Sequence, residues 1–547
     1  MTSRMRISCV QLAAYPVDQA EEGLAHALEM VGKAAREKPD LVVLPECIYP
    51  AYFLAEWSPE GFSQRLKEVE REFQRAATRH GCYLAVGMAE EREGQLYNSA
   101  FLFAPEGDKV ATAQKQFLWH FDSRWFACGE LGSAVETPWG KVGMMVCADG
   151  RTPEIPRILA LRGARLVLDL TNLVSTGADP SALTNPQVEY LLKVRAVENR
   201  QWIAVANKVG LEHNSVLYCG RSGIISPEGE VLAMAGSKDP EVVTVEIDMD
   251  DVEDTVHGVF DPLRDRRPST YGHLTREHSR LAIGTLLEEP MVPARHQHRV
   301  AAVQLDTEVE EAELLRAVQG YLHRLAVEGV EVIVFPKPKP RPPSEIGAWK
   351  RVVDAVQGMT AVVPVVVAFT WPEEAEPGLL YHTTWLFYRG EVIGKYRANH
   401  PDRLESRWYT PGDLGYPVFE TPVGRIGMMA GWEGLLFEPA RILALNGAEV
   451  ILWPCRMEGQ LHDDLARARA MENRVFVAVA NAVGEGASGL SLLVNPDGAR
   501  VGQAFEGKEQ AVGAQFPLAL ARCKTVVTGT DVIFDRCPDR YGELVEE

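Results

Sequence analysis

"GMMVCADGRTPEIPRILALRGA" spans residues 143–164, and "GMMAGWEGLLFEPARILALNGA" spans residues 427–448. Aligned without a gap, 12 of these 22 positions are identical. Both copies keep the apolar stripe of "RILAL", yet Cys147 of the first is Gly431 in the second. A chain that repeats a segment and drops its one thiol invites a separation of what folding needs from what chemistry needs.

The repeat extends outward from this stretch. Apolar runs "RISCVQL" and "RVAAVQL" end at Leu12 and Leu305. Each is followed by a helical pattern, with Leu24, Leu28, Val31 and Ala35 on one face in the first copy. Leu315, Val318, Leu322 and Leu325 form the corresponding face in the second. Then come "DLVVLPE" (40–46) and "EVIVFPK" (331–337), short runs that are apolar throughout and closed by proline. Downstream, "RAVENRQWIAVANKVG" (195–210) matches "RAMENRVFVAVANAVG" (469–484), and "DRRPSTYGHL" (265–274) matches "DRCPDRYGEL" (535–544). Two homologous units therefore fill the chain, 1–280 and 298–547, joined by 281–297, where two prolines interrupt the pattern. Alternating strands and helices with hairpin-like pairs such as "YLAVGMAEEREGQLYNSAFLFAP" predict an α/β fold: two α-β-β-α sandwiches in tandem.

Composition narrows the function. A chain of 547 residues exceeds one ordinary core. With 46% apolar and 24% charged residues it reads as globular, and a net charge of −20 argues against nucleic acid as the main partner. The opening "MTSRMRISCVQL" shows no signal peptide, and no apolar stretch reaches membrane-spanning length, so a cytoplasmic protein without a membrane partner is expected. Nine cysteines without CxxC pairs argue against a disulfide framework or a zinc site. His296 and His298 in "ARHQHR" lack acidic or thiol companions and read as a solvated linker, so no metal is expected.

Three reactive residues of the first unit lie at or just beyond apolar strands: Glu46 in "LVVLPE", Lys115 in "ATAQKQF" and Cys147 in "KVGMMVC". A thiol needs a base or a cation to become a nucleophile. A carboxylate shuttles protons, and an ammonium stabilises a tetrahedral oxyanion. Together they suit acyl transfer. Taken singly, a core cysteine, a surface lysine and a loop-starting glutamate are equally good readings.

The ordered set resembles the nitrilase superfamily of carbon–nitrogen hydrolases. The carriers are the strand ending in Pro-Glu at Glu46, Lys115 ahead of "WFACG" (125–129), and Cys147 in "CADGRTPE", with "RAVEN" and "ANKVG" downstream. The resemblance implies Cys147 as nucleophile, Glu46 as general base, and Lys115 as oxyanion stabiliser helped by the backbone N–H beside Cys147. It also implies a second glutamate after the lysine; Asp122 in "HFDSRWF" stands there, one methylene shorter. No cofactor is implied, and the substrate is a small molecule with an amide-type bond. Members that cleave nitriles place Trp-Glu after the nucleophile; here Ala148-Asp149 follows, favouring an amide or N-carbamoyl group.

Carried onto the second unit, the three positions hold Lys337, Ala398 and Gly431, an inactive copy. Realigning to Lys395 or Arg397 restores a cation but no nucleophile. Because such sandwiches pair as dimers in this family, the resemblance implies an internal pseudo-dimer, with further homo-oligomerisation open. Tyr49, Trp119, Trp125, Phe126, Arg151 and Asn172 are candidate substrate contacts. Arg151 equally suits an ion pair with Glu154, and the aromatics equally suit the core. Acyl transfer to an amine, nitrile hydrolysis and a non-catalytic scaffold are the alternatives.

Overall fold

In a computed structural model of the chain, residues 3–54, 62–176, 182–252, 256, 258–288, 297–345 and 349–547 are described. They form two compact units: Met1–Asp254 with Val527–Thr530, and Thr255–Val526 with Asp531–Glu547.

The first unit opens with a sheet of β1 (Arg4–Ala13), β2 (Leu41–Val43), β3 (Tyr83–Arg92), β4 (Gln95–Phe103) and β5 (Lys109–Gln114), side by side in that order. β1, β2 and β3 run parallel; β4 and β5 return antiparallel. A second sheet is built from β6 (Val135–Thr137), β7 (Gly140–Val146), β8 (Leu166–Leu170) and β9 (Trp202–Ala206), with β7, β8 and β9 parallel. The chain then revisits the first sheet with β10 (Lys208–Glu212) and β11 (Val216–Cys219), a hairpin beside β1. β12 (Gly223–Ile225) and β13 (Val231–Met234) complete the second sheet, and β14 (Glu241–Asp248) pairs with β1.

Alternation along the strands divides the core in two. Ile7, Cys9, Leu41 and Val43 face Met144, Val146, Leu166, Leu168 and Val205 between the sheets. Val10, Leu12, Val42 and Leu44 face α1 (Ala20–Ala34) and α2 (Phe62–His80) on the outside. α3 (Glu154–Leu161) and α4 (Leu192–Asn199) cover the second sheet through Ile155, Leu159, Leu192 and Ala196. The α-β-β-α sandwich expected from the sequence is present. The face of α1 is rotated slightly from the expected one: Leu24, Ala27, Val31 and Ala34 are buried, whereas Leu28 and Ala35 are half-buried.

The second unit repeats the plan with two six-stranded sheets, one containing Gln297–Gln304 and Val332–Val334, the other Gly424–Met428 and Val450–Cys455. Leu314, Val318 and Leu322 of its first helix pack on Ile333, Val367 and Phe369. Two features of the junction differ from the sequence reading. Ala282–Glu288 is helical, and "DRRPSTYGHL" lies in the second unit. Arg266 there donates to buried Glu438 Oε1 at 3.0 Å, and Arg267 donates to Gly412 O at 2.8 Å. His298 meets Glu331 at 3.1 Å, while His296 lies outside the described residues. Among the described residues no helix is long and apolar enough to cross a membrane.

Candidate active site

Glu46, Lys115, Cys147 and Asp122 come together in the first unit, beyond the ends of β2, β5 and β7. All four are buried, with Glu46, Lys115 and Asp122 fully inaccessible. Lys115 Nζ lies 2.8 Å from Glu46 Oε1 and 2.7 Å from Asp122 Oδ2. Such an ionic cluster costs desolvation and is weak evidence of stability, so its retention points to chemistry.

Each member is held by backbone. Pro45 ends β2 and turns Glu46 across Gly87, where a Cβ would lie 2.5 Å from Glu46 Cα; only glycine permits the approach. Lys115 N donates to Asn98 O at 2.8 Å, and Asn98 Nδ2 donates to Glu46 Oε1 at 2.6 Å. Trp119 N donates to Asp122 Oδ2 at 2.9 Å. Cys147 sits where β7 turns sharply, with φ of +54°, a left-handed conformation that costs a non-glycine residue roughly 1–2 kcal/mol.

Neither Asn98 nor Asp149 was singled out as a site residue from the sequence. Asp149 Oδ1 accepts Gln116 N and Phe117 N at 3.0 and 2.9 Å, and its Oδ2 accepts Val146 N at 3.1 Å. It ties the turn at Cys147 to the segment after Lys115, and burial pushes its carboxyl up to about 7. The signal that could have revealed it is the acidic residue two positions after Cys147 and after its counterpart Gly431, Asp149 and Glu433.

The electrostatics set the resting protonation. Burial pushes the Cys147 thiol well up, the charge of Glu46 adds to this, and Lys115 only partly opposes it. Burial works against the Lys115 ammonium, but the carboxylates of Asp122 and Glu46 hold its pKa well above the ordinary value. The resting thiol is therefore protonated beside a fixed cation. Glu46 spends Oε1 on Lys115 and Asn98, and its buried Oε2 has no hydrogen-bond partner. That oxygen is available to take a proton.

The candidate substrate contacts scatter more. Asn172 is buried beside Cys147, and neither end of its amide has a hydrogen-bond partner. The Arg151 guanidinium lies 4.4 Å over the Trp119 ring and donates to Asn185 Oδ1 at 3.2 Å. No ion pair to Glu154 forms; Arg151 has no carboxylate partner among the described residues. Trp125 packs edge-on against Phe53 and Phe121 at 5.1 and 5.2 Å, and Phe126 is buried with the α1 side of the core. Tyr49 donates its hydroxyl to Glu21 at 2.9 Å, toward α1.

The matching place in the second unit is wired differently. Ala398 N donates to His382 O as Lys115 N does to Asn98 O, which fixes Ala398 opposite Lys115 and His382 opposite Asn98. Lys337 pairs with Glu405, which also meets His382 Nδ1 at 2.7 Å. Burial opposes the Glu405 charge, but Lys337 and His382 hold its carboxyl well below the usual range. A Cβ on Gly431 would lie 2.7 Å from Lys337 Nζ, so the ammonium fills the room a cysteine side chain needs. A buried thiol that the sequence reading did not weigh, Cys455, ends the neighbouring strand within electrostatic reach of Lys337.

Comparison with known proteins places this geometry in context. The carbon–nitrogen hydrolase family model matches residues 6–256 and again 299–523. An omega-amidase of Xenopus tropicalis is 32% identical over 266 residues, 45% of this chain and 90% of that protein. A Pyrococcus abyssi protein named as a nitrilase is 32% identical over 265 residues, covering 46% and 94%. Among solved structures, an amidase of a Nesterenkonia species shares 27% identity over 48% of this chain and 93% of its own, with a TM-score of 0.42.

Proposed function

The chain belongs to the carbon–nitrogen hydrolase family, twice over, and from that premise we propose that its first unit hydrolyses the amide of a small molecule that carries a carboxylate elsewhere. It is an enzyme of the C–N hydrolase class; the substrate and the residue roles are our reading. The observation that carries it is the buried Glu46–Lys115–Asp122 cluster around a protonated Cys147, with Glu46 Oε2 unpartnered.

Glu46 takes the thiol proton as the Cys147 sulfur attacks the amide carbon. The carbonyl oxygen becomes an oxyanion, stabilised by the Lys115 ammonium and the backbone N–H that follows Cys147. Asp122 holds Lys115 in place. The proton returns to nitrogen, the C–N bond breaks, and ammonia leaves a thioester on Cys147. Glu46 then activates water, which cleaves the thioester and releases the carboxylic acid and the free thiol. Ala148 after the nucleophile favours an amide over a nitrile. Arg151, stacked on Trp119 and lacking an acidic partner, suits a distal carboxylate. The name omega-amidase on a relative is in keeping with an amide at one end of such a molecule.

The test is ammonia release across amides with and without a distal carboxylate, carbamoyl amino acids and nitriles, with mass spectrometry of enzyme quenched during turnover. An acyl adduct on Cys147 and a preference for carboxylate-bearing amides are expected. An adduct elsewhere, or faster release from nitriles, overturns the reading.

We further read the second unit as a non-catalytic partner of the first, kept for packing after its reactive residues became Lys337, Ala398 and Gly431. Residues 1–254 expressed alone should aggregate or self-associate. A monomeric, fully active fragment overturns this.

A further inference from the structure

We infer that Lys208, Glu212 and Tyr218, on the β10–β11 hairpin, form a positioning clamp that sets the loop carrying the general base. The inference rests on the role of Glu46 proposed above and goes beyond it to three residues outside the reacting cluster.

The clamp grips the loop immediately after Glu46 at both ends. Lys208 Nζ donates to Cys47 O at 2.8 Å. Glu212 Oε1 accepts Tyr52 N at 3.1 Å and Phe53 N at 2.7 Å. Glu212 Oε2 accepts the Tyr218 hydroxyl at 2.8 Å and lies 3.8 Å from Lys208 Nζ. All three side chains are buried, Glu212 and Tyr218 completely. What they hold matters to the site. Cys47 is the residue after Glu46 and has φ of +43°, a conformation that must be imposed on a non-glycine residue. The Tyr52 ring lies 5.5 Å from Lys115 Nζ and packs on Phe121, next to Asp122. Phe53 packs on Phe121 and Trp125.

The second unit supplies an independent argument. Asn207 N donates to Ser222 Oγ, and Asn481 N donates to Ser491 Oγ, each at 2.9 Å, which aligns the two hairpins at both ends. Between those anchors the second copy is five residues shorter. Ala482 replaces Lys208, Ala487 pairs where Tyr218 pairs, and the strands end before a counterpart of Glu212. Pro338 stands in place of Cys47, and its ring forbids the positive φ. The same sandwich thus folds without the clamp or the strained turn, and both are missing where the base is missing. A buried carboxylate and ammonium carry a desolvation cost that core packing alone does not require.

The test uses full-length protein, with steady-state ammonia release and the pH dependence of Cys147 alkylation by iodoacetamide, read by peptide mass spectrometry. Glu212→Ala should lower kcat about 10²-fold, the scale of an ångström-sized misplacement, with KM changed only a few-fold. It should also shift the pH profile of Cys147 alkylation. Glu212→Gln, which keeps a carbonyl oxygen for the Tyr52 and Phe53 amides, should restore at least a tenth of wild-type kcat. If Glu212→Ala does not fold, Tyr218→Phe, which deletes one hydroxyl, should still lower kcat several-fold and move the alkylation profile in the same direction. Wild-type kcat and profile in Glu212→Ala, or in Tyr218→Phe where Ala does not fold, overturns the clamp. So does a loss that Gln fails to restore in a folded protein. If wild-type enzyme releases no ammonia from any amide, the proposed function fails, and the alkylation profile still decides the clamp.

Discussion

Cys147 and Gly431 share a left-handed backbone, with φ of +54° and +59°, and differ in everything attached to it. In the first unit the conformation is a strain borne by a thiol that must project from the strand end. In the second the same turn persists, and glycine makes it cost nothing. The second site has its lysine opposite Glu46 rather than opposite Lys115, and there its ammonium fills the space of the missing side chain and pairs with Glu405. Function and stability pull this position in opposite directions, and each copy shows one outcome.

Breaking the first copy should give the largest effect. Cys147→Ala and Cys147→Gly are each expected to cut ammonia release at least about 10⁴-fold. The two should separate in denaturant. Cys147→Gly relieves the left-handed residue and should unfold at higher urea than Cys147→Ala, by up to about 1–2 kcal/mol. The opposite change, Gly431→Ala, should destabilise the second unit by at least that amount, because its Cβ also meets Lys337 Nζ at 2.7 Å, and leave kcat unchanged. Equal urea midpoints for the two Cys147 variants would remove strain as the explanation.

Next come the charges. Glu46→Gln and Lys115→Met should each slow turnover by about 10³-fold, as expected for a base and an oxyanion donor. Lys337→Met should leave the rate of turnover where it was. A rate unchanged by Lys115→Met would sink the oxyanion role. Asp122→Asn should cost less, about tenfold, because it acts through Lys115.

The smallest effect sharpens a contrast away from the sites. Glu90 in the first unit accepts Ser99 and Gln114, both neutral. Glu373, at the matching strand position, accepts Thr383, Lys395 and Arg397. Burial opposes the Glu373 charge, but these donors more than offset it, and its pKa falls from 4.5 to about 2. A folded pKa below the unfolded one means stability that is complete above pH 4.5 and is lost as pH falls toward 2. Glu373→Gln should flatten unfolding free energy across that window, read by urea unfolding from pH 5 down to pH 2.

The sequence by itself determined the repeat and the sandwich, and it singled out the set proposed here as reactive. Apolar runs such as "LVVLPE" encode buried strands locally, and the absence of Glu46, Lys115 and Cys147 counterparts from the second copy is visible without coordinates. It could not weigh Arg151 between substrate and Glu154, because the partner of a guanidinium depends on what the fold brings near it. Nor could it find Asn98 or Glu212. Asn98 and Glu212 lie 52 and 159 or more positions from the groups they hold, and their roles exist only as distances. Only the tertiary structure decided that Lys337 occupies the room of the lost thiol and that Cys147 bears a left-handed φ. Periodicity reports which face of a strand is buried; it is silent on the torsion where the strand ends, and Cys147 sits at that end.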